Sequence, residues 1–359
     1  MNRDFWRNRR VLVTGHTGFK GSWLCLWLNS VGARVAGYAL EPPTRPSLYE
    51  LARVDELVES TIADLRDMSA LEKVVVSFAP EVVLHMAAQS VVLTSYEDPI
   101  ETYSTNVVGT AHVLEAVRRA SRPCCVVNVT TDKCYLNQGW VWGYRETDTL
   151  GGRDPYSNSK ACAELVAQSF RHSFFPLESF AQHGVALASA RAGNVIGGGD
   201  WTAHQLVPET AAAFARAEPV VLRHPEGVRP WQHVLDCLNG YLVLAEKLAS
   251  APAVGSGEWN FGPAPGDAYT VARVVEALAA HWKLATPWIR AKGVTPREER
   301  ELTLDSTKAN RVLGWRCRLS TEQAIAWVAE WYLGLQQQRD ARQLCLSQIG
   351  RFAALEAGA

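Results

Sequence analysis

Arg10-Val11-Leu12-Val13-Thr14-Gly15-His16-Thr17-Gly18-Phe19-Lys20-Gly21-Ser22-Trp23-Leu24-Cys25-Leu26-Trp27-Leu28 is the stretch on which the fold turns. It opens as a short apolar strand, passes through three glycines spaced three apart, and continues from Ser22 as a helical run. Glycines allow a tight turn and let a pyrophosphate approach the backbone, while the helix start offers amides and a positive dipole to that charge. A lone G-x-x-G-x-x-G carries little weight. Between a strand and a helix, near the head of a chain, it predicts a dinucleotide loop and the first βαβ unit of a parallel sheet. Lys20 reads either as a further phosphate contact or as an exposed lysine on the helix.

Downstream the pattern repeats. Apolar runs at 34–40, about 58–63, 82–85, 124–129 and 185–190 alternate with helical stretches, which predicts a doubly wound parallel sheet. Glu41, some twenty residues past the loop, is the candidate for the adenosine ribose diol. Pro42 and Pro43 disturb that strand end, and Arg45 suits a 2′-phosphate, so NAD is preferred over NADP without being deduced. Small residues after the fourth strand, Ala87 and Ala88, would let a flat cofactor lie close. The fifth strand ends in Thr130-Thr131-Asp132-Lys133, which places those polar side chains at the sheet edge that carries the glycine loop. Residues 105–119 read as a helix with apolar side chains on more than one side, which leaves room for a dimer contact.

Asp154-Pro155-Tyr156-Ser157-Asn158-Ser159-Lys160 reads as the start of a further helix, with Asp154 capping free amides and Pro155 at the first helical position. Tyr156 and Lys160 then stand at i and i+4 on one face, continued by Ala163, Ala167, Phe170 and Phe174. The small residues would let this face lie close to the sheet. Bringing a phenol from a pKa of about 10 to roughly 7 needs about 4 kcal/mol in favour of the phenolate. A neighbouring lysine cation, helped by a charged nicotinamide ring, would supply it. Tyr-x-x-x-Lys alone is a common helix pair; downstream of a dinucleotide loop it reads as a base.

The 359 residues suffice for a large core, and the net charge of −1 gives no basic surface for nucleic acid or an anionic membrane. The apolar run after the N-terminal arginines is too short for a signal-peptide core, and no stretch approaches a membrane span, so a cytoplasmic location is expected. The eight cysteines lack a C-x-x-C pair and read as free, mostly buried thiols. The histidines lack metal-ligand spacing; His16, His85 and His233 read as structural, and no metal is expected.

Past residue 190 the alternation breaks into a loop-rich region, Arg191-Ala192-Gly193-Asn194 and Gly197-Gly198-Gly199-Asp200, then mixed helices and short strands. The fold class expected is α/β, a doubly wound parallel Rossmann sheet with a smaller C-terminal α/β lobe. Its domains are 1–190 for NAD, 191–343 mainly for substrate and partly interleaved with the first, and a tail at 344–359. A last helix is expected over 322–339, and the structure after about Leu344 is left open.

With the glycine loop, Thr131 and Tyr156-x-x-x-Lys160 in order, the chain resembles the extended short-chain dehydrogenase/reductases that modify nucleotide sugars, from about Arg9 to Trp331. His85-Met86-Ala87-Ala88, residues 103–106 and 229–236, Leu304-Asp305-Ser306-Thr307-Lys308-Ala309 and Leu313-Gly314-Trp315 share in the likeness. The strings at 15–24, 131–135, 142–146 and 229–234 resemble the 4,6-dehydratases of cytidine-linked glucose within it. The resemblance implies a homodimer or higher oligomer, bound NAD, transient oxidation of a hexose at C4, loss of water across C5 and C6, and hydride return to C6.

It also implies roles. Tyr156 takes the 4-hydroxyl proton, Thr131 hydrogen-bonds that oxygen, Lys160 lowers the phenol pKa and holds the nicotinamide ribose, and Asp132 protonates the departing water. Lys133 stands where dehydratases of thymidine-linked glucose carry a Glu thought to take the C5 proton. A lysine would do so only when neutral, or would instead stabilise the enolate, so the C5 base stays unnamed. Cofactor contacts carry over onto Gly15, Thr17, Gly18, Phe19, Lys20, Gly21, Asp64, Leu65, Ala87, Ala88, Asn106, Tyr156 and Lys160, and substrate contacts onto Ser90, Asn194 and Arg229. Trp140 and Trp142 would cover the sugar or pack their own loop. Two other functions stay in view: a 4-epimerase, which needs no acid at C6, and a non-catalytic NAD-sensing protein, which would have no need of Tyr156 and Lys160.

Overall fold

The computed structural model describes residues 1–264, 266–291 and 302–355. Seven strands form one sheet: β1 (Arg10–Thr14), β2 (Arg34–Ala39), β3 (Glu59–Ile62), β4 (Val82–His85), β5 (Cys124–Val129), β6 (Val185–Ala192) and β7 (Gly257–Phe261). Their order is β7-β6-β5-β4-β1-β2-β3, and every pair is parallel. The chain therefore winds outward in both directions from β1 and β4, and the crevice at their C-terminal ends is the switch point where such sheets bind ligands.

Side-chain alternation splits the core in two. Val11, Val13, Val82, Leu84, Cys125 and Val127 enter one cluster, whereas Leu12, Val83, Cys124 and Val126 enter the other. Both faces are covered, so the strands read as nearly unbroken apolar runs. Helices α1 (Phe19–Ser30) and α6 (Val234–Ser250) lie in the first cluster, and α2 (Met68–Phe78), α3 (Gly109–Ala120) and α4 (Pro155–Ser173) flank the second. Helix α1 is buried without a break from Gly21 to Leu28, because it has the sheet on one side and the C-terminal helix on the other.

Beyond β6 the chain builds α5 (Leu206–Ala215), α7 (Val271–Trp282), α8 (Thr321–Gln336) and three two-stranded pairs. The pair Asn194–Ile196 with Trp231–His233 is parallel, and Val228–Arg229 with Tyr269–Thr270 is antiparallel. Residues 257–261 differ from expectation. The segment at Asn260 and Phe261 was expected in the smaller lobe, but it pairs with β6 as the seventh strand of the central sheet. Helix α6 likewise returns to pack on β5 and β6.

Two helix boundaries also move. The helix expected over 105–119 starts at Gly109 and is preceded by a π-turn, Ser104–Val108, whose extra residue turns Asn106 inward. The last expected helix stops at Gln336, and Asp340 caps a further one, α9 (Ala341–Ala354), by accepting from the Gln343 amide at 2.9 Å. Leu344, Cys345, Ile349 and Phe352 of α9 are buried, with Phe352 edge-on to Trp27 of α1 at 5.6 Å. Residues 356–359 of the expected tail lie outside the described residues.

Candidate active site

Helix α4 begins as its sequence dictates. Asp154 caps it by accepting from the Ser157 amide at 2.9 Å, Pro155 occupies the first turn, and Ser95 Oγ accepts from the Tyr156 amide at 3.1 Å. Tyr156, Lys160, Ala163 and Ala167 share the buried face, the alanines letting it approach the sheet. Phe174 is the exception to the expected stripe: it is the helix C-cap and 45% exposed.

Thr131 caps the short turn Asp132–Cys134 that follows β5, accepting from the Lys133 amide at 3.3 Å and donating to Asp132 Oδ1 at 2.9 Å. The Tyr156 phenol stands close enough for the Thr131 hydroxyl to act on it. Thr131 and Asp132 are thus bonded at the C-terminal edge of the sheet with Tyr156 beside them, and Lys133 is on the same turn. Burial pushes the Asp132 carboxyl above its usual range, opposed by Lys133, its bond from Thr131 and Arg229. Burial also raises the Tyr156 phenol, opposed by the nearby Thr131 hydroxyl. Lys160 is lowered to about 8, by burial first and then by the charge of Lys20, with Glu164 opposing both.

The expected lowering of Tyr156 by Lys160 is not what this buried face produces by itself. The ammonium donates to the Val129 carbonyl at 3.3 Å, and desolvation governs the phenol.

The glycine loop fits a dinucleotide. No side chain caps the first turn of α1, so its leading amides are left for a ligand. Gly15 has φ +76°, and a Cβ on it would stand 2.8 Å from the Ala87 amide; one on Gly21 would stand 2.1 Å from the Gly15 carbonyl oxygen. The loop is thereby folded flat against the segment after β4. Thr14 Oγ1 accepts from the Met86 and Ala87 amides, both at 3.1 Å, which ties the two strand ends together at the switch point.

Around it, Thr17 donates to the Leu40 carbonyl at 2.9 Å, and Phe19 and Lys20 stand in the first turn of α1. Lys20 Nζ reaches inward to the Tyr241 hydroxyl at 3.4 Å, so it is not the exposed lysine of the plainer reading. Asp64, after β3, accepts from the Arg66 amide at 2.8 Å, and this arginine holds its carboxyl below the usual range. Leu65 packs where Gly109 of α3 approaches. Ala88 follows in the loop after β4, Ser90 is exposed beyond it, and Glu41 is exposed past β2.

Asn106 is buried and its amide is engaged: Oδ1 accepts from the Gln89 amide at 2.9 Å, while Nδ2 donates to the Gln89 carbonyl at 2.9 Å and Ser159 Oγ at 2.8 Å. It therefore ties the loop after β4 to α4. Asn194 starts a short strand lining a cleft with Asp200, Leu206 and Trp231. Arg229 stands near enough to Asp132 to act on its charge. Trp140 stacks on Tyr144 at 5.3 Å, and Tyr144 on Tyr135 at 5.3 Å, so Trp140 packs its own loop; Trp142 at the tip is 59% exposed.

Three histidines are held in the interior. His16 Nε2 meets Ser60 Oγ at 2.7 Å, His85 lies between Thr14 and Thr110, and His233 caps α6; burial lowers them to about 4, 3 and 3. Among the described residues no cluster of metal-ligand type forms, all eight cysteines are free, and no helix is long and apolar enough to cross a membrane.

A pair not foreseen from the sequence lies directly behind the site. Glu164 and Arg191 form a fully buried ion pair at 2.9 Å, and Thr130 donates to the same carboxylate. A carboxylate at i+4 from Lys160, on the face already assigned to the sheet, was the available signal.

The family model for GDP-mannose 4,6-dehydratase matches residues 12–328. A CDP-glucose 4,6-dehydratase of Salmonella typhimurium is 51% identical over 332 residues, 92% of either chain. The Thermus thermophilus UDP-glucose 4-epimerase, solved with NAD, superposes with a TM-score of 0.75 at 28% identity, covering 90% of this chain and 99% of its own. A Streptomyces venezuelae dTDP-glucose 4,6-dehydratase, solved with NAD, shares the fold with a TM-score of 0.77 at 24% identity, over 93% and 99% of the two chains. The match runs from β1 through the glycine loop and the whole central sheet into α8, and the chain belongs to the GDP-mannose 4,6-dehydratase family of nucleotide-sugar short-chain dehydrogenase/reductases.

Proposed function

We propose that this chain carries out the NAD-dependent dehydration of CDP-D-glucose to CDP-4-dehydro-6-deoxy-D-glucose, a hydro-lyase reaction. The observation that carries the reading is Asp132, a buried carboxyl pushed toward its proton-bearing form and bonded to Thr131, the residue beside the candidate base. A 4-epimerase has use for Thr131, Tyr156 and Lys160, but no leaving hydroxyl for such an acid to protonate. The half-identical CDP-glucose 4,6-dehydratase supports the same substrate.

Bound NAD supplies a reversible hydride acceptor, held by residues 15–21, Asp64, Leu65, Ala87, Ala88 and Asn106. Tyr156 takes the proton of the sugar 4-hydroxyl, Thr131 hydrogen-bonds that oxygen, and the Lys160 charge offsets the burial that disfavours the phenolate. A ketone at C4 acidifies C5–H. Lys133 serves that carbon, as a neutral base or as the cation that stabilises the enolate. Asp132 gives its proton to the departing 6-hydroxyl, so water and not hydroxide leaves. Arg229 and Asn194 hold the phosphates and sugar, an arginine fork suiting a pyrophosphate, and Ser90 lines the same side.

In this reading residues 1–190 carry the cofactor and 191–343 mainly the substrate. The enzyme is cytoplasmic and a homodimer or higher oligomer, which would cover Tyr96, Ile100 and Val108, apolar side chains exposed ahead of α3.

The test is purified enzyme with NAD and, in turn, CDP-, UDP-, GDP- and dTDP-glucose, read by mass and by chromatography of the released hexose. Loss of one water with CDP-glucose, and slower loss with the others, is expected. Unchanged mass throughout removes the proposal, and a galactose nucleotide formed without loss of water replaces it with epimerisation.

A further inference from the structure

Behind the groups assigned to the reaction runs a second buried polar layer that the steps above do not use. Glu164 lies one turn beyond Lys160 on the face of α4 that meets the sheet. One of its carboxylate oxygens accepts from the Thr130 hydroxyl and the other from Arg191 Nη2 at 2.9 Å. Arg191, in β6, also donates through Nη1 to the Tyr135 hydroxyl at 2.8 Å and the Glu146 carbonyl at 3.0 Å. Tyr135 donates in turn to Asn260 Oδ1 in β7 at 2.8 Å. The layer joins α4, the end of β5, β6, the loop before α4 and β7. The desolvation of two buried charges can exceed their mutual attraction, so stability alone is a weak account of this pair.

We propose that Glu164, locked by Arg191, is a positioning residue of the dehydration: through Thr130 it fixes the turn of Thr131, Asp132 and Lys133 against the helix of Tyr156, with its carboxylate one helical turn from Lys160. The inference deepens the proposed function and rests on it. Thr130 immediately precedes Thr131, so its bond to Glu164 pins the start of that turn to α4. Glu164 and Lys160 are an i,i+4 pair with no bulk water between them, where a charge acts more strongly than at a surface. The groups around Lys160 are Lys20 from α1, His85 from β4, Cys134 from the turn, and Tyr156 and Glu164 from its own helix. Lys20 and burial work against the ammonium, and Glu164 works for it.

The test compares the NAD-loaded wild type with Glu164→Gln, Glu164→Asp and the double variant Glu164→Gln/Arg191→Met on CDP-glucose, reading kcat, KM, the pH profile and circular dichroism. Glu164→Gln should lower kcat by about 100-fold, as a misplacement of about 1 Å does, with KM changed less than about threefold. Its alkaline limb should move down by about one pH unit as Lys160 loses its proton earlier. Glu164→Asp, which keeps the charge but not the reach, should keep the limb and recover part of kcat. The double variant strands no arginine and should regain thermal stability while its limb stays displaced. It therefore decides the matter even if Glu164→Gln alone fails to fold. A wild-type kcat in Glu164→Gln, or a limb that returns to its wild-type place in the double variant, overturns the proposal and leaves the pair a fold-holding role. Wild-type enzyme that leaves CDP-glucose unchanged removes the function beneath it instead.

Discussion

Asp132 must be desolvated enough to hold a proton yet stay bonded to Thr131, and the turn after β5 meets both demands by burying the carboxyl beside Gly193, within reach of the Arg229 charge. Substituting Asp132→Asn keeps an acceptor for the Thr131 hydroxyl and removes the proton donor. Turnover to the dehydrated sugar should fall about 10²- to 10⁴-fold, the usual span for a general acid. KM should change little, and oxidation at C4 should persist, so the absorbance of the reduced cofactor, which would rise on mixing with substrate, separates the two steps. The sign of the pH dependence follows from the raised carboxyl. An acid held above its usual range stays protonated further up the scale, and the elimination step weakens as pH rises through that raised value. An elimination rate in Asp132→Asn equal to the wild type would assign the acid elsewhere. Residues such as Tyr156, Lys160 and Thr131 were legible beforehand because a helix repeat and a strand end fix where they point. Glu164 is not legible there, since its meaning depends on Arg191, a partner 27 residues away in strand β6.

Among elements, the loop from Gly15 to Gly21 is the most tightly specified. A Cβ at Gly21 would sit 2.1 Å from the Gly15 carbonyl oxygen and 2.7 Å from His16 Cα, backbone atoms that cannot rotate aside, whereas one at Gly18 would meet that carbonyl oxygen only at 3.4 Å. Gly21→Ala should therefore destabilise the fold by about 1–3 kcal/mol, the usual cost of overpacking, and weaken NAD binding at least tenfold. Gly18→Ala should change stability by no more than about 0.5 kcal/mol. Chemical denaturation and calorimetric titration with NAD distinguish them, and equal stability of the two variants would refute the packing argument. The loop can be read from sequence because Gly18 and Gly21 face its own backbone, a local matter, while Gly15 faces the Ala87 segment after β4. The π-turn at Ser104–Val108 could not, because what turns Asn106 inward is Gln89 and Ser159 on other elements. Strand β7 is not legible as a member of the central sheet for the same reason: its neighbour β6 ends 65 residues earlier, and nothing in the intervening pattern shows where the chain comes back to the sheet.

At the scale of the whole molecule, the question is how the segment after residue 302 is held to the sheet. Helix α9 closes over α1 with apolar side chains, but the connection ahead of α8 is fastened by a buried carboxylate. Asp236, in the first turn of α6, accepts from the Arg318 amide at 2.6 Å and the Leu319 amide at 3.3 Å, while its own carbonyl accepts from Trp315 Nε1 at 3.2 Å. Burial pushes this carboxyl up to about 7, against the two amides and Cys317. A folded-state value above the unfolded one means that the folded protein binds the extra proton between about pH 4 and 7. The stability linked to it is complete below about pH 4 and is lost as pH rises through about 7. Melting temperatures across pH 5 to 8 should fall through this window, and Asp236→Asn, which cannot ionise, should flatten that part of the curve. The variant should then be at its greatest disadvantage near pH 5 and approach the wild type near pH 8. Parallel curves for the two proteins would mean that Asp236 does not change its protonation between the folded and unfolded chain, and that the two backbone amides hold the ionised carboxylate without help from a proton.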